Sequence, residues 1–209
     1  MGAVPALIVT AHPDPESLTH RAAERLRELL GPGTSLAPLA QEGFDPRFTP
    51  ADRRRYLGEG AAAADVVAEQ ERIDAHDHLV LVFPVYWWSM PALLKGWIDR
   101  VFVTGWAFAL DDSGRVLPAL DRLTVHLLPV SGSTEESFAR HGYTESFRTQ
   151  IEHGVIDYCG ARRRATTFLF ESEAEDREAT ARSLVTATEA VAAAVRAAPR
   201  AVVAPTPTP

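Results

Sequence analysis

Apolar and polar positions along this chain alternate between two rhythms. Short apolar runs recur at Ala6–Thr10 and Leu79–Phe83, the pattern of strands buried on both faces, and Leu123–Val130 reads as a fourth strand. Ser35–Leu39 reads as a weaker second strand and Ala165–Phe170 as a fifth. Between them the apolar positions fall three and four apart. Ser17–Leu30 carries Leu18, Ala22, Leu26 and Leu29 on one face, Asp65–Ala75 is helical, and a helix starts at Pro91 and runs to about Val103. Phe147–Cys159 is a helix closed by Gly160, and Ala174–Ala197 is a long Ala-rich closing helix. Pro84 ends the third strand, and Pro91 sits at a helix start, where its missing N–H costs nothing. Gln41–Asp52 is rich in turn formers and reads as a loop; Gly105–Leu120 reads as an irregular excursion around the turn Asp111-Asp112-Ser113-Gly114.

Strands alternating with helices predict an α/β fold with right-handed crossovers. The expected architecture is a three-layer, flavodoxin-like fold: a five-stranded parallel sheet of order 2-1-3-4-5 with helices on both faces, preferred over a Rossmann half. A ligand then belongs at the carboxyl ends of strands one, three and four, beside the point where strand order reverses. Residues 1–198 are expected to form one domain, followed by a disordered Pro/Thr-rich tail at 199–209.

Composition narrows the function classes. The 209 residues are 46% hydrophobic and 23% charged, enough to build a core without covalent staples. The net charge of −7 argues against nucleic acid as a partner, since phosphate backbones need a basic face. The one basic cluster, Arg162-Arg163-Arg164, reads as a helix end leading into a strand. A single cysteine, Cys159, allows no internal disulfide. The N-terminus has no basic segment before its short apolar run, and no stretch approaches a membrane span; a cytoplasmic location is expected.

Three loops carry candidate chemistry, each after a strand that should end on the same edge. In Thr10-Ala11-His12-Pro13-Asp14-Pro15-Glu16-Ser17-Leu18-Thr19 a helix begins, and its free N–H groups, with Ser17, Thr19 and His12, suit a phosphate; a plain Ser17 cap is the alternative. No glycine-rich dinucleotide fingerprint or P-loop is present. In Val85-Tyr86-Trp87-Trp88-Ser89 three adjacent aromatics cannot all enter the core, because neighbouring side chains point opposite ways. They suit a flat ring or a subunit interface. Ser131-Gly132-Ser133-Thr134 allows close backbone approach to a ligand, or is simply a turn. Lys95 and Asp99 form an i, i+4 pair and, with Arg100, read as structural. His76 and His78, flanking Asp77, read as strand-entry residues rather than metal ligands, and His126 as a core or interface histidine.

The segments His12–Thr19, Gly43-Phe44-Asp45-Pro46 and Phe83–Phe102 together resemble the NAD(P)H quinone oxidoreductases of the flavodoxin-like superfamily. That group includes quinone reductases, modulators of drug activity and the ancillary reductases of potassium efflux systems. The resemblance implies a bound flavin, FAD with FMN as the alternative, that takes hydride from NAD(P)H and passes it to a quinone-like aromatic acceptor by a ping-pong mechanism. It places His12, Ser17, Leu18 and Thr19 along the pyrophosphate and ribityl chain, and Pro84, Val85, Tyr86, Trp87 and Trp88 over the ring. Ser131, Gly132 and Ser133 stand where the family has its loop against the flavin's pyrimidine edge. Counting back from Asp157-Tyr158-Cys159-Gly160, His141 falls on the family's catalytic His; the family's Tyr falls near Ser137-Phe138, with Tyr143 the phenol close by. A homodimer is implied, with Gly105–Leu120 and the aromatic loop as interface. A redox-sensing regulatory subunit, with the same loops serving a protein partner, is the alternative function.

Overall fold

The computed structural model describes residues 4–198. Its sheet has the order expected from sequence: β1 (Ala6–Thr10), β2 (Thr34–Pro38), β3 (His78–Pro84), β6 (Thr124–Val130) and β7 (Arg162–Thr166), arranged β2-β1-β3-β6-β7 and parallel throughout. β4 (Phe108–Leu110) and β5 (Val116–Pro118) form a separate antiparallel hairpin within the 105–120 excursion.

Alternation along the strands sorts the core into two layers. Leu7, Val9, Leu79, Leu81, Phe83, Val125 and Leu127 face one way. They meet Ile73 of α3 (Ala64–Asp74) and Leu94, Trp97 and Val101 of α4 (Ala92–Val101). Ala6, Ile8, Val80, Val82, Leu128 and Val130 face the other way, against Ala22, Ala23 and Leu26 of α1 (Leu18–Leu30) and Val191 and Val195 of α7 (Arg177–Ala197). Every residue of β1, β3 and β6 is buried, which is why these strands are predominantly apolar on both faces.

Several boundaries differ from the sequence expectation. The 41–52 loop gives way to α2 (Pro50–Tyr56), opened by a capping box between Thr49 and Asp52. Thr, Pro and Asp serve turns and helix starts alike, so composition favoured a loop. Two short helices, α5 (Glu135–Arg140) and α6 (Tyr143–Phe147), precede a π-helical segment, Arg148–Asp157, in place of an α-helix. In that wider turn Ile151 and Ile156, five residues apart, both reach the core.

The three arginines at 162–164 lie inside β7, not ahead of it. β7 is an edge strand with one side open to solvent, so it tolerates charge that a central strand does not. The apolar stretch expected as the fifth strand continues the same edge, with Thr167 N–H donating to Leu127 O and Leu169 N–H to Pro129 O. A register shift between Val125 and Leu127 divides the two parts. The tail at 199–209 lies outside the described residues.

Candidate functional site

The first loop leaves β1 and enters α1. Ser17 caps the helix, its side chain accepting from His20 N–H at 3.3 Å. The chain before it is pinned locally: Glu16 N–H donates to Asp14 Oδ1 at 2.9 Å and Ser17 N–H to Asp14 O at 3.2 Å. His12 Nδ1 lies 3.1 Å from Asp14 N and 3.2 Å from Asp14 O, so this nitrogen ties the half-buried ring to the loop. Leu18 and Thr19 occupy the first helical turn, where N–H groups have no intrahelical acceptor. The Thr19 side chain is buried, so Thr19 offers the mouth of the helix its main chain.

The second loop follows β3. Val85 N–H donates to Val130 O at 2.8 Å, clamping the loop to the neighbouring strand. Tyr86 and Ser89 exchange both main-chain hydrogen bonds at 3.1 Å, closing a two-residue turn whose central residues are Trp87 and Trp88. Their φ angles are +49° and +59°. Both central residues of a type I′ turn must have positive φ, and Asn-Gly is the usual solution. Two tryptophans there are strained, and they sit at the tip of the turn, Trp87 87% and Trp88 38% exposed. Pro84, at the strand end, is buried.

The third loop follows β6. Ser131 N–H donates to Leu169 O at 2.8 Å, and Ser133 N–H to Ser131 Oγ at 3.1 Å. Between this turn and the tryptophans lies a cleft of about 250 Å³, lined by Val85, Trp87, Trp88, Ser131, Gly132, Ser133, Phe138 and Glu173. The Glu173 carboxyl group packs against Gly132, where a Cβ would stand 3.2 Å from its carboxyl carbon. Glu173 is a wall residue that sequence reasoning missed: nothing in its neighbourhood marks it, and only the turn after residue 169 carries it to Gly132.

α5 and α6 bring the two candidate catalytic side chains to the same place. The Tyr143 ring stacks on Trp88 with centroids 4.3 Å apart, and His141 stacks on Tyr143 at 5.6 Å. Trp87 meets Trp88 edge-on at 5.7 Å, and Phe138 supports Tyr143 from beside it at 5.8 Å. His12 approaches Tyr86 at 6.5 Å and so joins the first loop to the second. Because β1, β3 and β6 are adjacent and parallel, all three loops open on one edge of the sheet.

Residues read as structural hold other parts of the frame. Lys95 Nζ donates to Asp99 at 2.6 and 2.8 Å. Arg100 is buried, donating to Asp52, Asp65 and the Asp45 carbonyl, with its guanidinium over Phe44. Burial pushes the Asp52 carboxyl up, but hydrogen bonds from Thr49 and the Arg100 charge outweigh it and hold the group below its usual value. Just beyond α3, His76 Nδ1 donates to the Arg72 carbonyl at 2.8 Å, and His126 is a core residue paired with His78 at 3.3 Å. Among the described residues no three His, Cys, Asp or Glu side chains are grouped to hold a metal, and no helix is long and apolar enough to cross a membrane.

The chain belongs to the flavodoxin-like fold family, whose model matches residues 5–193. Among its relatives is the ribosyldihydronicotinamide dehydrogenase [quinone] of Pongo abelii, 30% identical over 198 residues, spanning 82% of this chain and 84% of the relative. The NAD(P)H:quinone oxidoreductase of Methanothermobacter marburgensis superposes with a TM-score of 0.81 at 24% identity, over 90% of this chain and 98% of that one. General stress protein 14 of Treponema denticola, solved in complex with FMN, superposes with a TM-score of 0.68 at 24% identity, over 91% and 98% of the two chains.

Proposed function

We propose that the protein is a flavin-dependent NAD(P)H oxidoreductase acting on a quinone or a similar flat aromatic acceptor. The observation that carries this reading is the strained Trp87-Trp88 turn, which holds aromatic rings outward beside the narrow Gly132 loop while the α1 N-terminus stands open on the same edge. These features fit a ligand with a flat ring at one end and a phosphate at the other. When bound, a flavin supplies the two-electron chemistry, taking hydride from a dihydronicotinamide and releasing it to the acceptor.

The chain's own residues do the rest. Leu18 and Thr19 N–H groups, with Ser17 and His12, would receive the phosphate at the positive end of α1. The main-chain N–H groups of Trp87, Trp88 and Gly132 would serve as donors to the ring, and the Val85–Trp88 and Ser131–Ser133 segments would wall it with aromatic and close-packed backbone surfaces. Tyr143, fixed against Trp88, and His141 behind it present a phenol and an imidazole to charge that develops at the ring. Dihydronicotinamide and acceptor use the same open face in turn, which is the ping-pong order. FMN complexes among the structural neighbours favour FMN over FAD. The related dehydrogenases favour the enzyme over the redox-sensing subunit.

The test is the absorption spectrum of the purified protein, release of its cofactor for chromatography, and NADH or NADPH oxidation with a simple naphthoquinone. Bound flavin with steady turnover is expected. Bound flavin without turnover favours the regulatory subunit, and a colourless protein that takes up no added flavin overturns both.

A further inference from the structure

His20 is absent from every sequence motif considered above, yet its side chain is tied at both ring nitrogens. It sits at the third position of α1 and is 7% exposed. Nε2 lies 3.1 Å from the His12 carbonyl oxygen, which can only accept, so Nε2 carries the proton. Nδ1, 3.4 Å from Thr10 Oγ1, is then the acceptor for that hydroxyl. The main-chain N–H of His20 donates to Ser17 Oγ at 3.3 Å. One residue therefore joins the last position of β1, the loop two residues on, and the cap of α1. From the loop's other side the Gln41 side-chain amide donates to the His12 and Pro13 carbonyls at 3.4 and 3.3 Å.

The consequence is electrostatic. A carbonyl oxygen that faced the mouth of α1 would set a partial negative charge against an arriving phosphate, opposing the helix end that attracts it. The His12 carbonyl is held by a buried imidazole on one hydrogen bond and by the Gln41 amide on another, so its orientation beside the start of α1 is fixed. We propose that His20, through its Nε2–H, is a positioning residue that keeps the His12 carbonyl out of the phosphate seat and thereby sets affinity for the phosphate-bearing end of the flavin. The inference rests on the flavin reading above and deepens it: His20 touches no ligand and acts through the loop.

The experiment compares dissociation constants for FMN, FAD and riboflavin, read from flavin fluorescence on titration, in the wild-type chain and in His20→Leu, His20→Gln and Thr10→Val. Losing one hydrogen bond to a buried carbonyl should weaken FMN and FAD about ten-fold in His20→Leu. His20→Gln, which keeps an amide donor, should recover to within about three-fold of wild type. Riboflavin, which has no phosphate, should bind all four proteins alike. Thr10→Val keeps its shape and removes the hydroxyl that fixes the ring's tautomer, so it should weaken FMN and FAD in the same sense without touching riboflavin, and it decides the matter if His20→Leu does not fold. Unchanged FMN and FAD affinity in His20→Leu and Thr10→Val overturns the proposal, as does a loss of riboflavin affinity in step with theirs, which marks a packing role. Failure of the wild-type chain to bind any of the three overturns the flavin reading itself.

Discussion

Two tryptophans in left-handed backbone make a cost that the rest of the chain has to offset. Each L-residue there is disfavoured by about 1–2 kcal/mol, and Trp87 recovers little by packing because 87% of it faces solvent. Trp87→Gly should therefore raise stability, by about 0.5–1 kcal/mol after the extra freedom of glycine in the unfolded chain is subtracted, and should weaken flavin binding. Urea unfolding and flavin titration of the same protein check the two halves. Tyr143 separates stacking from chemistry. Tyr143→Phe keeps the ring against Trp88 and removes only the hydroxyl, so turnover should fall about 10²-fold with flavin affinity unchanged, whereas Tyr143→Leu should lose both. The aromatic loop was legible in the sequence because three consecutive rings cannot share one core. Glu173 was not, since an isolated glutamate on a loop looks the same wherever the fold carries it.

At the scale of elements, the motifs most specific to the family serve mainly to build it. Gly96 of α4 packs so closely on Pro46 that a Cβ would lie 2.2 Å from its carbonyl oxygen. Gly96→Ala should destabilise the chain by about 1–3 kcal/mol, as overpacking against backbone does, and thermal unfolding would show it. Arg100 reaches from the next turn of α4 to the carbonyl of Asp45, so the Gly43–Pro46 and Lys95–Arg100 segments that look like separate signatures are two sides of one contact. Arg100→Met strands the buried Asp52 and should cost about 3–5 kcal/mol, with part of the loss restored in Arg100→Met/Asp52→Asn. The central strands and long helices were readable because burial on both faces, or on one stripe, leaves a period. α2 and the π-helical segment were not: a capping box uses the residues that turns use, and a spacing of five belongs to neither standard period.

Across the whole molecule, the two ends of the sheet have different chemistry. The loops of the candidate site lie at the carboxyl ends of the strands. His78 and His126 lie toward the amino ends, paired with each other and otherwise enclosed. His78 Nε2 and His126 Nδ1 have no partner among the described residues. Burial, then the neighbouring His78 and Arg164, push His126 down to about 3. Burial also lowers His78, with Arg162 assisting and Asp77 opposing. A histidine depressed in the folded state binds more protons when unfolded, so stability should fall as pH drops below about 6.5, and keep falling toward 3. The urea midpoint measured between pH 7 and 4.5 should decline in the wild-type chain and flatten in His126→Leu. That window stays above 3.8, the ordinary carboxyl value below which Asp45, held down to about 2 by Arg47, begins to lose its contribution.

The distance between these two ends has a practical side. The seven residues of β3 run from His78 to Pro84, a span of about 20 Å, and hydrocarbon core fills the interval. Tolerance of acidic media and choice of oxidant can thus be engineered as independent traits: exchanging the imidazoles at one rim leaves the tryptophans at the other undisturbed.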